Sequence, residues 1–155
     1  MQKLKILNTR DVKKIRESML QSYGAFFVKD YAYLQNEKGK VFLINKDLAK
    51  IDIHKLRVDK IGLYMAEVKG NSVRLSKEAA QLLAKENNNK LKNIVEIDKE
   101  EMKKYFQGED LKKDLGDENK FVLLSYLGYI FSCAKYKDGI IINFLPKIHR
   151  GEVIL

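Results

Sequence analysis

DKEEMKKYFQGEDL, residues 98–111, and KFVLLSYLGYIFSCAKYKDGIIINF, residues 120–144, decide how this chain is read. Asp98 and Glu101 form a D-x-x-E pair, the signature of a reciprocally capped helix start. The spacing predicts a short helix over KEEMKKYF that stops at Gly108. The polar run EDLKKDLGDENK reads as a loop leading into a strand, KFVLLSY. Leu127-Gly128 turns the chain into YIFSCAKY, and Asp138-Gly139 is a strong hairpin signal before IIINF. Pro146 interrupts, and a last strand is expected within HRGEVIL. IVEI, at 94–97, adds a short strand ahead of the helix. So many short strands joined by tight turns protect their edges by curling into a small barrel.

Upstream of this unit lies KENNNKLKN, with three consecutive Asn and no apolar pattern. Its composition is that of a linker, and the domain boundary is placed there, dividing the chain into units 1–90 and 94–155. The first unit mixes helix and strand patterns. LKIL is strand-like, and Thr9 is the expected N-cap of a helix with Asp11 in its first turn. Val12, Ile15, Met19, Leu20 and Tyr23 make one apolar face, and Gly24 is the expected stop. YAYLQ and KVFLI bracket Asn36–Gly39 as a hairpin. NKDLAK reads as one helical turn. IGLYMAEV and SVRLS bracket a second hairpin at Lys69–Asn71. Ser76 then caps a helix, KEAAQLLAKE, with Ala79, Leu82 and Leu83 on its buried side. The fold class is α+β.

The chain has 155 residues, 45% of them hydrophobic, a composition that supports a globular core. No apolar run approaches the ~20 residues of a spanning helix, and the N-terminal apolar stretch is too short for a signal peptide. With a single cysteine there is no internal disulfide, and a cytoplasmic location is expected. The formal net charge is +9, favouring a polyanionic partner. Residues 1–93 hold 20 Lys/Arg against 10 Asp/Glu, and residues 119–155 hold 5 against 2, whereas 94–118 is acidic, 5 against 9. A general compositional bias toward lysine would spread more evenly.

The second unit resembles a PUA domain, the RNA-binding barrel named after pseudouridine synthases and archaeosine transglycosylases. In that family a short helix ends in an aromatic-x-Gly-x-Asp loop, matched here by Phe106, Gly108 and Asp110. The remainder is similar to the variant at the C-terminus of some Sun-family RNA cytosine methyltransferases. A Leu-Pro-Lys-x-x-Arg segment closes that variant, matched here by Leu145, Pro146, Lys147 and Arg150. IGLYMAEVKGNSVRLSKEAAQLL is similar to the pre-PUA region of small archaeal and eukaryotic ribosome-biogenesis proteins, through Gly62, Arg74, Leu75 and Ser76. Many PUA domains carry Pro-Gly-Val after the helix loop, where this chain has Lys-Lys-Asp-Leu-Gly.

The resemblance implies an antiparallel α/β pre-PUA-like unit followed by a mixed PUA-type barrel. It further implies an RNA groove flanked by the loop of Gly108 and Asp110, extended to Lys112 and Lys113. The plainer explanation of that loop is a helix cap with solvated residues beyond it. Lys147, His149 and Arg150 form a second cluster, either an ordinary solvent-facing edge or a set of phosphate contacts that release counterions; Arg150 can fork onto phosphate or a base edge. Lys135 and Lys137, beside the Asp138-Gly139 hairpin, extend the same surface. Lys3, Lys5, Arg10, Lys13 and Lys14 read first as a solvated helix face. Most tyrosines (Tyr31, Tyr33, Tyr64, Tyr126, Tyr129) read as packing, with Tyr136, between two lysines, the candidate for stacking on a base.

No catalytic residue, metal site or cofactor is expected. Cys133 lies in an apolar strand, the two histidines have no metal-ligand spacing, and no Gly-rich phosphate cradle occurs. The expected function is non-catalytic binding of structured RNA, rRNA or tRNA. The partner would be an RNA-modifying enzyme or a ribosome-assembly protein, with no membrane involved. The alternative is an adaptor docking on an RNA methyltransferase or ribosomal protein without touching RNA. A small enzyme would require a pocket gathering Cys133 and His54 or His149 with a carboxylate.

Overall fold

A computed structural model describes residues 3–50 and 62–151. Among the described residues the chain builds an α+β fold from two five-stranded sheets and three helices. The first sheet is antiparallel throughout, in the order β1 (Lys5–Ile6), β2 (Tyr31–Gln35), β3 (Lys40–Asn45), β4 (Leu63–Lys69), β5 (Ser72–Leu75). Helix α1 (Thr9–Tyr23) follows β1, and α2 (Lys77–Glu86) follows β5. Both expected hairpins form. At Gly39 the chain takes φ +83°, and an added Cβ would meet the Val68 carbonyl oxygen at 2.7 Å, so only glycine fits that turn.

Two local expectations are corrected. The N-cap of α1 is Asn8, not Thr9: the Asn8 side chain accepts from the Asp11 amide at 2.9 Å, and Thr9 is already helical. Either residue type caps well, and the one standing in extended backbone takes the role. Within the apolar face of α1, Ile15, Met19 and Tyr23 are buried but Leu20 is 45% exposed. Helix α2 begins after Ser76 as expected; Ala79, Ala80, Leu83 and Ala84 are buried, and Leu82 only half so. Leu48–Lys50 makes one 3₁₀ turn.

The second sheet runs β6 (Ile94–Glu96), β8 (Lys120–Tyr126), β9 (Tyr129–Lys137), β10 (Ile140–Ile142), β7 (Leu111–Lys112). The β6–β8 pair is parallel and the rest are antiparallel, giving a mixed sheet that curls into a half-barrel. Helix α3 (Lys99–Phe106) has both halves of the Asp98/Glu101 capping box. Leu127-Gly128 and Asp138-Gly139 turn with positive φ at both residues of each pair, the geometry that suits right-twisted hairpins. The segment read as loop, 109–120, contains β7, which closes on β10. Lys147–His149 form a 3₁₀ turn, so His149–Gly151, the described part of the segment expected to hold the last strand, carries no strand. The rest of the expected last strand, 152–155, lies outside the described residues.

Both faces of the second sheet are covered. On one, α3 supplies Tyr105 to a core with Val122, Ala134, Tyr136 and Ile141. On the other, Leu123, Ile130 and Cys133 belong to one core with Met19, Tyr23, Leu83 and Ala84 from α1 and α2. Residues 87–93 carry the chain between the sheets and are fastened to α1. The Lys92 amide donates to the Tyr23 carbonyl at 2.9 Å, and Asn93 Nδ2 donates to the Ser22 carbonyl at 2.6 Å.

Candidate nucleic-acid interface

The C-terminal end of α3 forms a corner with the segment 143–151. The organising residue is Asn143. Its amide donates to Asp110 Oδ1 at 2.8 Å, and its Nδ2 donates to the Tyr105 and Glu109 carbonyls at 2.6 and 2.9 Å. Its Oδ1 accepts from the Leu145 amide at 2.8 Å. Helix end and strand end are thereby fixed to one another. Sequence reasoning missed Asn143; its partners lie up to 38 residues away, and three of the four are backbone groups.

Arg150 completes the corner. The Gly151 amide donates to the Phe106 carbonyl at 2.7 Å, and Arg150 Nε donates to the Leu145 carbonyl at 3.0 Å. This lays the arginine across Gly108. A Cβ added there would stand 2.8 Å from Arg150 Cδ and 2.9 Å from Nε and Nη1, and Gly108 holds φ +94°. A side chain at 108 is therefore strained and displaces the arginine. Arg150 and Lys147 are exposed, and among the described residues Lys147 has no ion-pair partner. His149 Nδ1 stands 4.0 Å from Glu78 Oε1 of α2. Gly108, Asp110, Lys147, His149 and Arg150 are thus grouped around one turn, with Asp110 serving that turn as a hydrogen-bond acceptor.

The other expected site residues stand apart from it. Lys113 is spent on Glu101, Nζ to both carboxylate oxygens at 3.2 Å. Ile140 is the register partner of both Lys112 and Lys137, so these two lysines share a face across three adjacent strands. Strand alternation puts that face opposite the buried Leu111 and Tyr136. Lys135, on the same face, lies 5.9 Å from the Phe121 ring. Tyr136, the stacking candidate, is buried: its hydroxyl donates to the Gly116 carbonyl at 2.8 Å and accepts from the Leu115 amide at 3.0 Å. It pins the 113–119 loop instead of meeting solvent.

Cys133, His149 and Glu78 do line one crevice. His54 lies outside the described residues. Burial pushes the Cys133 thiol up to about 11, with the Tyr23 hydroxyl 3.4 Å away, so at neutral pH it is protonated, the reverse of an activated nucleophile. Burial also pushes the Tyr105 hydroxyl, bonded to Ser132 Oγ at 3.0 Å, up to about 12. Among the described residues no group of three or more His, Cys, Asp or Glu gathers as a metal site, and no helix is long and apolar enough to cross a membrane.

Residues 92–150 match the family model described as the methyltransferase RsmF PUA domain, from a Sun-family RNA cytosine methyltransferase. This part of the chain is a PUA domain similar to the C-terminal region of those enzymes, and PUA domains are RNA-binding, non-catalytic modules. None of the curated proteins matches the chain.

Proposed function

We propose that the chain is a non-catalytic module that positions structured RNA, rRNA or tRNA, for an RNA-modifying enzyme or during ribosome assembly. The observation that carries this reading is the Arg150 side chain laid over Gly108, beside an exposed Lys147, on a PUA half-barrel. Gly108 leaves room for Arg150 to lie across the helix end, and Arg150 is held at both Nε and the following amide, so its remaining donors are preset. RNA in this corner is held by shape and phosphate contact, with helical RNA read across its minor groove and backbone. The units 1–90 and 94–155 act together, the first bracing the second.

The test is binding of a stem-loop RNA to the full chain by fluorescence anisotropy across a salt series. Affinity is expected to fall steeply with salt. Lys147→Ala is expected to weaken binding several-fold and to lower the log–log salt slope by about 0.7–0.9, the value of one phosphate contact. Arg150→Ala is expected to weaken it about tenfold. Salt-independent binding, or variants that bind like the parent, would overturn the reading.

One feature favours a second reading, a protein adaptor. At the β8–β9 hairpin tip Leu127 and Tyr129 are 72% and 76% exposed. Loss of partner capture on changing both to Ser, with RNA affinity unchanged, would favour the adaptor.

A further inference from the structure

Beside the Arg150 corner, a crevice of about 220 Å³ opens between the β5–α2 corner of the first unit and the Phe144–His149 segment of the second. It falls below the roughly 300 Å³ at which drug-sized ligand pockets begin, and it suits one flat ring. Its interior is apolar, with Leu63, Leu75 and Leu145 on the walls, and Ser132 and Cys133 also line it. Two flat groups face each other on one side: the Arg74 guanidinium carbon sits 4.0 Å from the Phe144 ring centroid. Arg74 is held there by Glu67, Nη2 to Oε2 at 2.6 Å, so the guanidinium plane is fixed before any ligand arrives. Bases stack on aromatic rings and on arginine planes alike.

The rim is polar and mixed in sign. Glu78 Oε1 lies 3.8 Å from Lys77 Nζ and 4.0 Å from His149 Nδ1. A carboxylate at the mouth repels phosphate but accepts from an amine on a base edge. Lys77 and His149 flank it, and the chain beyond His149 runs directly to Arg150. An apolar slot for a ring, a carboxylate acceptor and cations to one side form the complement of a nucleotide whose base carries an exocyclic amine.

We infer that this crevice holds one unpaired, amine-bearing base of the RNA bound at the Arg150 corner. The inference rests on the RNA-binding reading and makes the module selective for an RNA with an unstacked nucleotide beside a helix. Because each half of the molecule supplies one wall, the base would be read by both units.

The probes are one stem-loop RNA in three forms, fully paired, with a single bulged C, and with a single bulged U, bound to the full chain. The bulged-C form is expected to bind about tenfold more tightly than the paired form, with bulged U between them. Phe144→Ala, at a residue 38% exposed and checked by its melting curve, is expected to erase the advantage of the bulge. Glu78→Gln is expected to weaken bulged C several-fold while leaving the paired form unchanged or tighter. A purely electrostatic Glu78 would instead make all three RNAs bind more tightly by the same factor, which overturns the inference. Equal binding of bulged and paired RNA, with Arg150→Ala still damaging both, overturns the inference and leaves the RNA-binding reading standing. Failure of all three RNAs to bind overturns both. CMP alone shifting the amide resonances of Ser76–Glu78 as strongly as bulged RNA does would mark a free-nucleotide site and overturn RNA as the source.

Discussion

The Gly108–Arg150 corner and the Lys112–Lys137 strip both present cations from the second unit, yet they are made differently. At the corner the framework is fixed: Asn143 fastens two carbonyls, one carboxylate and one amide, and Arg150 is held by the Leu145 carbonyl, with Lys147 left free of an ion pair among the described residues. On the strip, Lys112 and Lys137 are exposed and flank Ile140 without an ion pair among the described residues. A preset guanidinium loses little freedom when it meets a phosphate, whereas a free lysine surrenders rotamer entropy of up to about 2 kcal/mol. On the RNA-binding reading proposed above, the corner would fix register and the strip would contribute only field.

Asn143→Ala should have the largest effect. It strands the Glu109 carbonyl and the Leu145 amide, and leaves the Tyr105 carbonyl with the Gly108 amide alone. The expected cost is about 2–3 kcal/mol of stability by denaturant unfolding, together with at least a tenfold loss of RNA affinity. If affinity survives while stability falls, the corner is scaffolding alone.

A smaller effect is expected at a comparably fastened point in the first unit. Glu86 Oε1 accepts from the Val28 and Lys29 amides at 2.7 and 3.2 Å, and Oε2 accepts from the Tyr31 hydroxyl at 2.7 Å. Burial alone would raise this carboxyl, but those donors outweigh it and hold it below its ordinary value. Its contribution is thus present above the usual carboxylate range and is lost as pH falls through the lowered value. Glu86→Gln should cost about 1 kcal/mol at neutral pH, read as a Tm lower by about 2–4 °C. That deficit should vanish in acid, and a deficit that persists at low pH would contradict the assignment.

The smallest effect belongs to the strip. Lys112→Ala and Lys137→Ala together should weaken RNA binding by no more than about threefold, all of it recovered in the salt slope. A loss as large as that of Arg150→Ala would erase the distinction between the two regions.

Much of this was legible in the chain. The Asp98/Glu101 box, Ser76, Gly24 and the Asp138-Gly139 turn act over at most a few residues, so their partners stand beside them in the sequence. Strand β7 was not legible, because Leu111–Lys112 owes its pairing to Ile140–Ile141 and sits in a polar run. The lysines beside Tyr136 give no sign of its burial; alternation along β9 turns it to the opposite face, where Tyr105 and Ile141 cover it. Of the expected binding residues, those at Gly108 and at 147–150 come together because chain segments some forty residues apart meet there. That meeting depends on Asn143, a residue type with no motif around it.

The passage from the first sheet to the second has a mechanical consequence. Asn88, Asn89 and Asn93 take left-handed backbone, and the path they define is stitched to the end of α1 and, through the Asn93 carbonyl, to Leu123 of β8. Leu123, Ile130 and Cys133 share one buried core with α1 and α2, so swivelling would expose apolar surface. A load applied to RNA in the second unit is passed directly to the first, so the molecule works as a bracket whose two arms keep one bearing.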